Sequence, residues 1–210
     1  MGNFTDAATI ATKSMKARTK VLGQEHEDTL SCLAIMGSAC RLGGRWDDAE
    51  KFEVQVMETR KKKLGADYPS TLTSMANLAA TYQNQGRWDA AEELEVQVME
   101  TSKKKLGADH PSTLTSMANL ASTYRNQGRW DAAEELLVQV IETRKKKLGA
   151  DHPDTLTSMA NLAFTWKAQG WSAKAVVLMR QCVQQRQRVT KASHPDLKSS
   201  LAALEKWEAE

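Results

Sequence analysis

Residues 60–101 read RKKKLGADYPSTLTSMANLAATYQNQGRWDAAEELEVQVMET, and residues 102–143 read SKKKLGADHPSTLTSMANLASTYRNQGRWDAAEELLVQVIET. Of these 42 aligned positions six differ: 60/102, 68/110, 80/122, 83/125, 95/137 and 99/141. Working outward, Leu22-Gly23, Leu64-Gly65, Leu106-Gly107 and Leu148-Gly149 carry the same 42-residue period along the chain. A period of this length is the mark of stacked supersecondary units.

Each unit holds two helical patterns. The first is expected from about Pro69 to Gln85, because proline is tolerated in a first turn, where its missing N–H costs nothing. Leu72, Met75, Leu78, Ala79 and Tyr82 then recur at helical spacing, and Gly86 stands where a closing glycine belongs. The second pattern is expected from about Asp89 to Lys105. Asp89 with Glu92 reads as a capping box, and Trp88, Ala91, Leu94 and Val98 form the apolar stripe. Lys103, Lys104 and Lys105 complement the C-terminal end of the dipole, and Gly107 ends the helix.

Neither helix buries its stripe alone, so successive units must stack. The fold class that follows is all-α, a right-handed α-α superhelix of about ten antiparallel helices. It forms one solenoid over residues 1–210, with a half-unit at 1–23, units at 24–65, 66–107, 108–149 and 150–191, and a terminal half-unit at 192–210. The first helix is expected near Phe4 to Leu22, since Gly2, Phe4 and Ala7 match Gly44, Trp46 and Ala49. The last is expected near Pro195 to Glu208.

Leu78-Ala79, Tyr82, Gly86, Trp88 and Ala91, repeated as Leu120-Ala121, Tyr124, Gly128, Trp130 and Ala133, resemble the core spacing of a tetratricopeptide repeat. The 42-residue unit, with Leu-Gly-Ala-Asp-His-Pro before the first helix and Asn-Leu-Ala inside it, resembles the kinesin light chain type. The near-identity of successive units also resembles the repeat arrays of fungal NB-ARC or NACHT receptor-like proteins. Glu53 and Glu95 depart from the pattern: they stand where a large apolar residue is usual, and Leu137 fills that place in the next unit.

In the resembled family the first helices line a concave groove, which implies a protein- or peptide-binding scaffold. On a wheel at about 100° per residue, the face beside the apolar stripe holds Thr73, Ala76, Asn77, Ala80, Gln83 and Asn84. It recurs as Thr115, Ala118, Asn119, Ser122, Arg125 and Asn126, and again as Thr157, Ala160, Asn161, Phe164, Lys167 and Ala168. An asparagine amide both donates and accepts, which suits a peptide backbone, so Asn77, Asn119 and Asn161 are the expected backbone clamps. The varying sites, Gln83, Asn84, Ser122, Arg125, Asn126, Phe164 and Lys167, are expected to choose ligand side chains. Arg41, Arg125 and Lys167 bias the groove toward an acidic or carboxylate-bearing ligand. Two plainer assignments compete: the asparagines bond between neighbouring helices, and the next unit's helix covers Phe164.

Other chemistries fit poorly. The +3 formal charge is mild for a nucleic-acid binder, and no apolar run approaches the roughly 20 residues of a membrane span. Cys32 and Cys40 lie about 12 Å apart along one helix, too far for a disulfide. With no apolar signal core at the N-terminus, the expectation is a cytoplasmic protein. Recurring His110, His152 and His194 stand on the order of 10 Å apart in stacked units, too far to share a metal; they are expected to pack at helix starts. The basic runs at 60–63, 103–105 and 144–147 read as solvated helix ends, and Trp46, Trp88 and Trp130 as core. No nucleophile motif occurs, so no enzyme, cofactor or metal is expected. The alternative function is head-to-tail self-assembly through terminal helices, with Leu201, Leu204 and Trp207 as the apolar face.

Overall fold

The computed structural model describes residues 13–14 and 17–210. Residues 17–22 are helical, and the rest of the helix expected near Phe4 lies outside the described residues. Nine full helices follow among the described residues: α1 (Glu27–Leu42), α2 (Trp46–Leu64), α3 (Pro69–Asn84), α4 (Trp88–Leu106), α5 (Pro111–Asn126), α6 (Trp130–Leu148), α7 (Pro153–Ala168), α8 (Ser172–Val189) and α9 (Pro195–Glu208). No strand occurs among these residues. The chain divides into two compact units, one through Thr101 and one from Ser102 to Glu210.

Within each unit, consecutive helices pack on one another, and short connections make neighbours antiparallel. In the first unit α1 packs on α2 and α2 on α3, while α1 also touches α3 directly, one first-type helix against the next. In the second unit α5 through α9 pack in succession. One apolar cluster there runs through Leu137, Leu156, Met159, Met179 and Cys182 to Trp207. Leu30, Leu33 and Val56 form one cluster of the first unit, and Leu72, Met75 and Val98 another.

The helix starts explain the recurring histidines. Nδ1 of His26, His110 and His152 accepts the backbone N–H two residues on at 3.2 Å, and that of His194 does so at 3.3 Å. The imidazole thus serves an orphan donor of the first turn, as an N-cap does. Tyr68, at the same place before α3, makes no such bond. At the other end, Gly65 closes α2 at φ 96° and its N–H reaches the Lys61 carbonyl at 3.1 Å. That left-handed region is open to glycine and costly for side-chain-bearing residues.

Four expectations are corrected. The second-type helix begins at Trp88, so Asp89 lies inside the first turn rather than at the cap. Trp46 and Trp130 are 41% and 39% exposed at the first turn of α2 and α6, so they do not fill the core. Leu204 and Trp207 are buried, and Leu201 packs against the second unit's own cluster, so this trio is not a free apolar face for self-assembly.

The fourth concerns the basic runs. Their lysines are exposed, but Arg60 and Arg144, with Arg186 at the same register, are buried. Each continues the inward stripe of its helix, as Ala133, Leu137, Val140 and Arg144 illustrate at spacings of three and four residues. Arg144 Nη1 donates to the Asp154 carbonyl at 3.0 Å and to Ser158 Oγ at 2.8 Å, while Nη2 donates to Thr115 Oγ1 at 3.1 Å. Arg186 repeats this with Asp196, Ser200 and Thr157 at 2.7, 2.7 and 3.1 Å. Arg60 donates to Ser74 Oγ at 3.0 Å and pairs with the Glu27 carboxylate. Each guanidinium therefore ties a second-type helix to the first-type helices on both sides of it. Ser102 holds this register in α4.

Candidate ligand-binding face

In the second unit α5 and α7 present the face expected to hold a ligand. Arg125 and Asn126 from α5 meet Asn161, Phe164 and Ala168 from α7 around an open concavity of about 400 Å³. Asn119 and Asn126 are exposed, and Asn161, Arg125 and Phe164 are half-buried. The amides of Asn119 and Asn161 have no side-chain hydrogen-bond partner among the described residues, so they are not spent bonding between helices. In the first unit Asn77 is likewise half-buried, at a narrow recess lined by Ala34, Glu53, Val56 and Ser74.

Arg125 differs from its counterparts. Its guanidinium meets no carboxylate among the described residues, and burial holds its pKa below the ordinary arginine value with nothing acting to raise it. A half-desolvated cation without a counter-charge favours a carboxylate.

Several expected site residues have structural duties instead. The Thr115 and Thr157 hydroxyls accept from Arg144 and Arg186, so these exposed residues belong to the inter-helix ties. The Thr73 hydroxyl donates to its own helix at the Pro69 carbonyl, 3.0 Å away. Ser122 Oγ donates to the Ala118 carbonyl at 3.2 Å, and Asn84 Nδ2 to the Ala80 carbonyl at 2.9 Å. Phe164 lies edge-on to Trp207 with ring centroids 5.1 Å apart, so α9, the next first-type helix, covers part of it. Lys167 is engaged by Glu210 at 2.6 Å and by Ser172 Oγ at 3.2 Å.

Sequence reasoning marked Glu53 and Glu95 as departures but did not find their partners. Both are buried. Thr81 Oγ1 donates to Glu53 Oε2 at 2.5 Å, and Arg41 Nε stands 3.8 Å from Glu53 Oε1. Burial pushes the Glu53 carboxyl pKa up, against the opposing pull of the Thr81 bond and the Arg41 charge. Gln83 Nε2 donates to Glu95 Oε1 at 2.9 Å. Arg41 and Gln83 thus turn toward the protein. The signal available beforehand was the twelve-residue separation: 41 to 53 and 83 to 95 join corresponding positions on paired helices.

What this face offers is amides, one guanidinium and an aromatic edge, groups that recognise rather than transform a ligand. Among the described residues no group of three His, Cys, Asp or Glu side chains is placed to hold a metal ion. No helix among them is long and apolar enough to cross a membrane.

A tetratricopeptide repeat family profile matches residues 1–62, 36–104, 70–146 and 115–188. Among solved structures, the chain is similar to a Podosopora anserina protein described as kinesin light chain-like, with nearly identical TPR-like repeats. The two share 30% identity at a TM-score of 0.74, over 91% of this chain and 90% of that one. BtubC (BKLC) of P. vanneervenii shares the fold at 16% identity and a TM-score of 0.78, over 98% of this chain and 83% of its own. The apo form of RapI does so at 11% identity and 0.68, over 90% and 50%. No curated protein matches by sequence.

Proposed function

The chain belongs to the tetratricopeptide repeat family, and from that premise we propose that it is a non-catalytic scaffold holding an extended, acidic protein segment on its first-helix face. The observation that carries this reading is Arg125, a guanidinium without a carboxylate at the rim of the concavity formed with Asn126, Asn161 and Phe164. Asn119 and Asn161 clamp the ligand backbone, each through an amide that donates and accepts at once. Arg125 takes a ligand carboxylate, a charge-assisted contact stronger than a neutral one. Such a module suits an adaptor or a sensor. The Podosopora anserina protein's kinesin light chain description supports the first, and the near-identical repeats suit the second.

The test is a peptide array probed with the full chain, followed by titration of the best binder by calorimetry. Replacing Arg125→Gln is expected to weaken binding of acidic peptides about tenfold, the equivalent of about 1.4 kcal/mol. Asn119→Ala is expected to weaken acidic and neutral peptides alike, about fivefold, because it removes a backbone contact of about 1 kcal/mol. Unchanged affinity in both variants would remove this face as the binding site.

A further inference from the structure

The repeat register pairs each groove-facing residue of a first-type helix with a residue twelve positions on, in the second-type helix. The pairs are Arg41 with Glu53, Gln83 with Glu95, Arg125 with Leu137 and Lys167 with Met179. In the first unit the second member is a buried glutamate, and the first member is drawn inward to it, at 3.8 Å for Arg41 and 2.9 Å for Gln83. In the second unit the second member is apolar and buried, Leu137 at 1% exposure and Met179 at 0%. A hydrocarbon side chain offers a cation no acceptor.

Neither cation finds an acceptor at its register partner. Lys167 takes the Glu210 carboxylate at 2.6 Å instead, so a carboxylate from an adjacent stretch of chain can satisfy this position. Arg125, one unit earlier, meets no carboxylate and borders the concavity.

We propose that Leu137 is a positioning residue for ligand recognition: by withholding an acceptor from Arg125, it leaves that guanidinium free for a carboxylate of the bound segment. Leu137 lies in the core and touches no ligand. Acid or hydrocarbon at this one buried position then decides whether a unit prefers an acidic ligand residue there. This rests on the reading that the first-helix face binds a peptide. A glutamate at 137 would stand within the same fold as Arg125, at an effective concentration far above that of a free ligand, and would win the guanidinium.

The test uses the full chain and two unstructured peptides identical except that one carries glutamate where the other carries glutamine. Wild type is expected to prefer the glutamate peptide about tenfold, and Leu137→Glu to bring the ratio within twofold, as Arg125→Gln does. The fold is expected to hold, because Glu95 sits at this register, 3% exposed, in a nearly identical repeat. Should circular dichroism show Leu137→Glu unfolded, Leu137→Gln decides: its amide oxygen can accept from the Arg125 guanidinium, and it is expected to bring the ratio within threefold. If Arg125→Gln erases the preference while Leu137→Glu, or Leu137→Gln in its place, keeps it, the role of this position is overturned and the binding face stands. If Arg125→Gln itself leaves the preference intact, the reading of the face fails as well.

Discussion

Glu53 in the first unit and Leu137 in the second occupy the same place in the repeat, yet their surroundings use opposite chemistry. Around Glu53 the interior is polar: Thr81 donates to the carboxylate, Arg41 leans toward it, and Gly37 leaves the space its side chain fills. A Cβ at Gly37 would stand 2.8 Å from Glu53 Cγ. Leu137 belongs instead to a large apolar cluster. The difference teaches that the backbone frame does not settle what lies between the helices. A repeat can hold its geometry with a buried carboxylate, at some cost in desolvation, or with a leucine, and the choice changes which side chains remain for the surface.

The comparison can be broken or sharpened by measurement. The largest effect is expected at the arginine ties. Arg144→Ala removes three charged hydrogen bonds and leaves the Ser158 and Thr115 hydroxyl oxygens without their arginine donor, costing about 3 kcal/mol in urea denaturation. Amide exchange should then accelerate in α7 and leave α1 unchanged. Its reciprocal, Ser102→Arg, gives α4 the missing side chain opposite Ser116 and the Ser112 carbonyl by register, and is expected to add about 1 kcal/mol. A loss of stability in that variant would show that the tie depends on more than this register.

Next comes Glu53→Leu, which makes the first unit resemble the second. Because burial raises the folded-state pKa of Glu53, the native state holds its proton more tightly than the unfolded chain. Wild-type stability from this group therefore falls as pH rises from the ordinary carboxylate range through the raised value. The variant is expected to fare better against wild type at neutral pH than near pH 4, by about 1 kcal/mol. Urea titrations at both pH values check the sign; an equal gain at both would locate the effect in packing instead.

The smallest effect is expected at Tyr68→His, which supplies α3 with the imidazole that caps α5 and α7. A gain of about 0.5 kcal/mol is expected, with slower amide exchange in the first turn of α3.

The helices, their breaks and their pairing were legible because the repeat displays the same pattern several times over. The position of Arg125 beside Asn126, and of both beside Asn161 and Phe164, followed from a helical wheel and the period. What escaped was side-chain reach. The spacing that places Glu53 and Arg60 inward with Ala49 and Val56 was visible, and it marked Glu53 as a departure without naming its partners, but an arginine within a basic run is long enough to be read as solvated. Nothing in a single repeat says that the Thr115 hydroxyl and the Arg144 guanidinium meet, since 29 residues separate them. Trp130 was misread because its repeat spacing matches the apolar stripe, whereas the residue sits at a helix start and is 39% exposed.

The positive-φ glycines Gly23, Gly44, Gly65, Gly86, Gly107, Gly128, Gly149 and Gly170 fall 21 residues apart. The turn after Gly65 leads into Ala66-Asp67, and the turn after Gly107 into Ala108-Asp109, the same sequence in the same register. Deleting residues 66–107 would therefore join two stretches whose junction the chain already contains, and copying them would do the same. Such a gene can lengthen or shorten by whole modules through recombination without inventing a joint, so the count of repeats is free to drift while each repeat's fold stays intact.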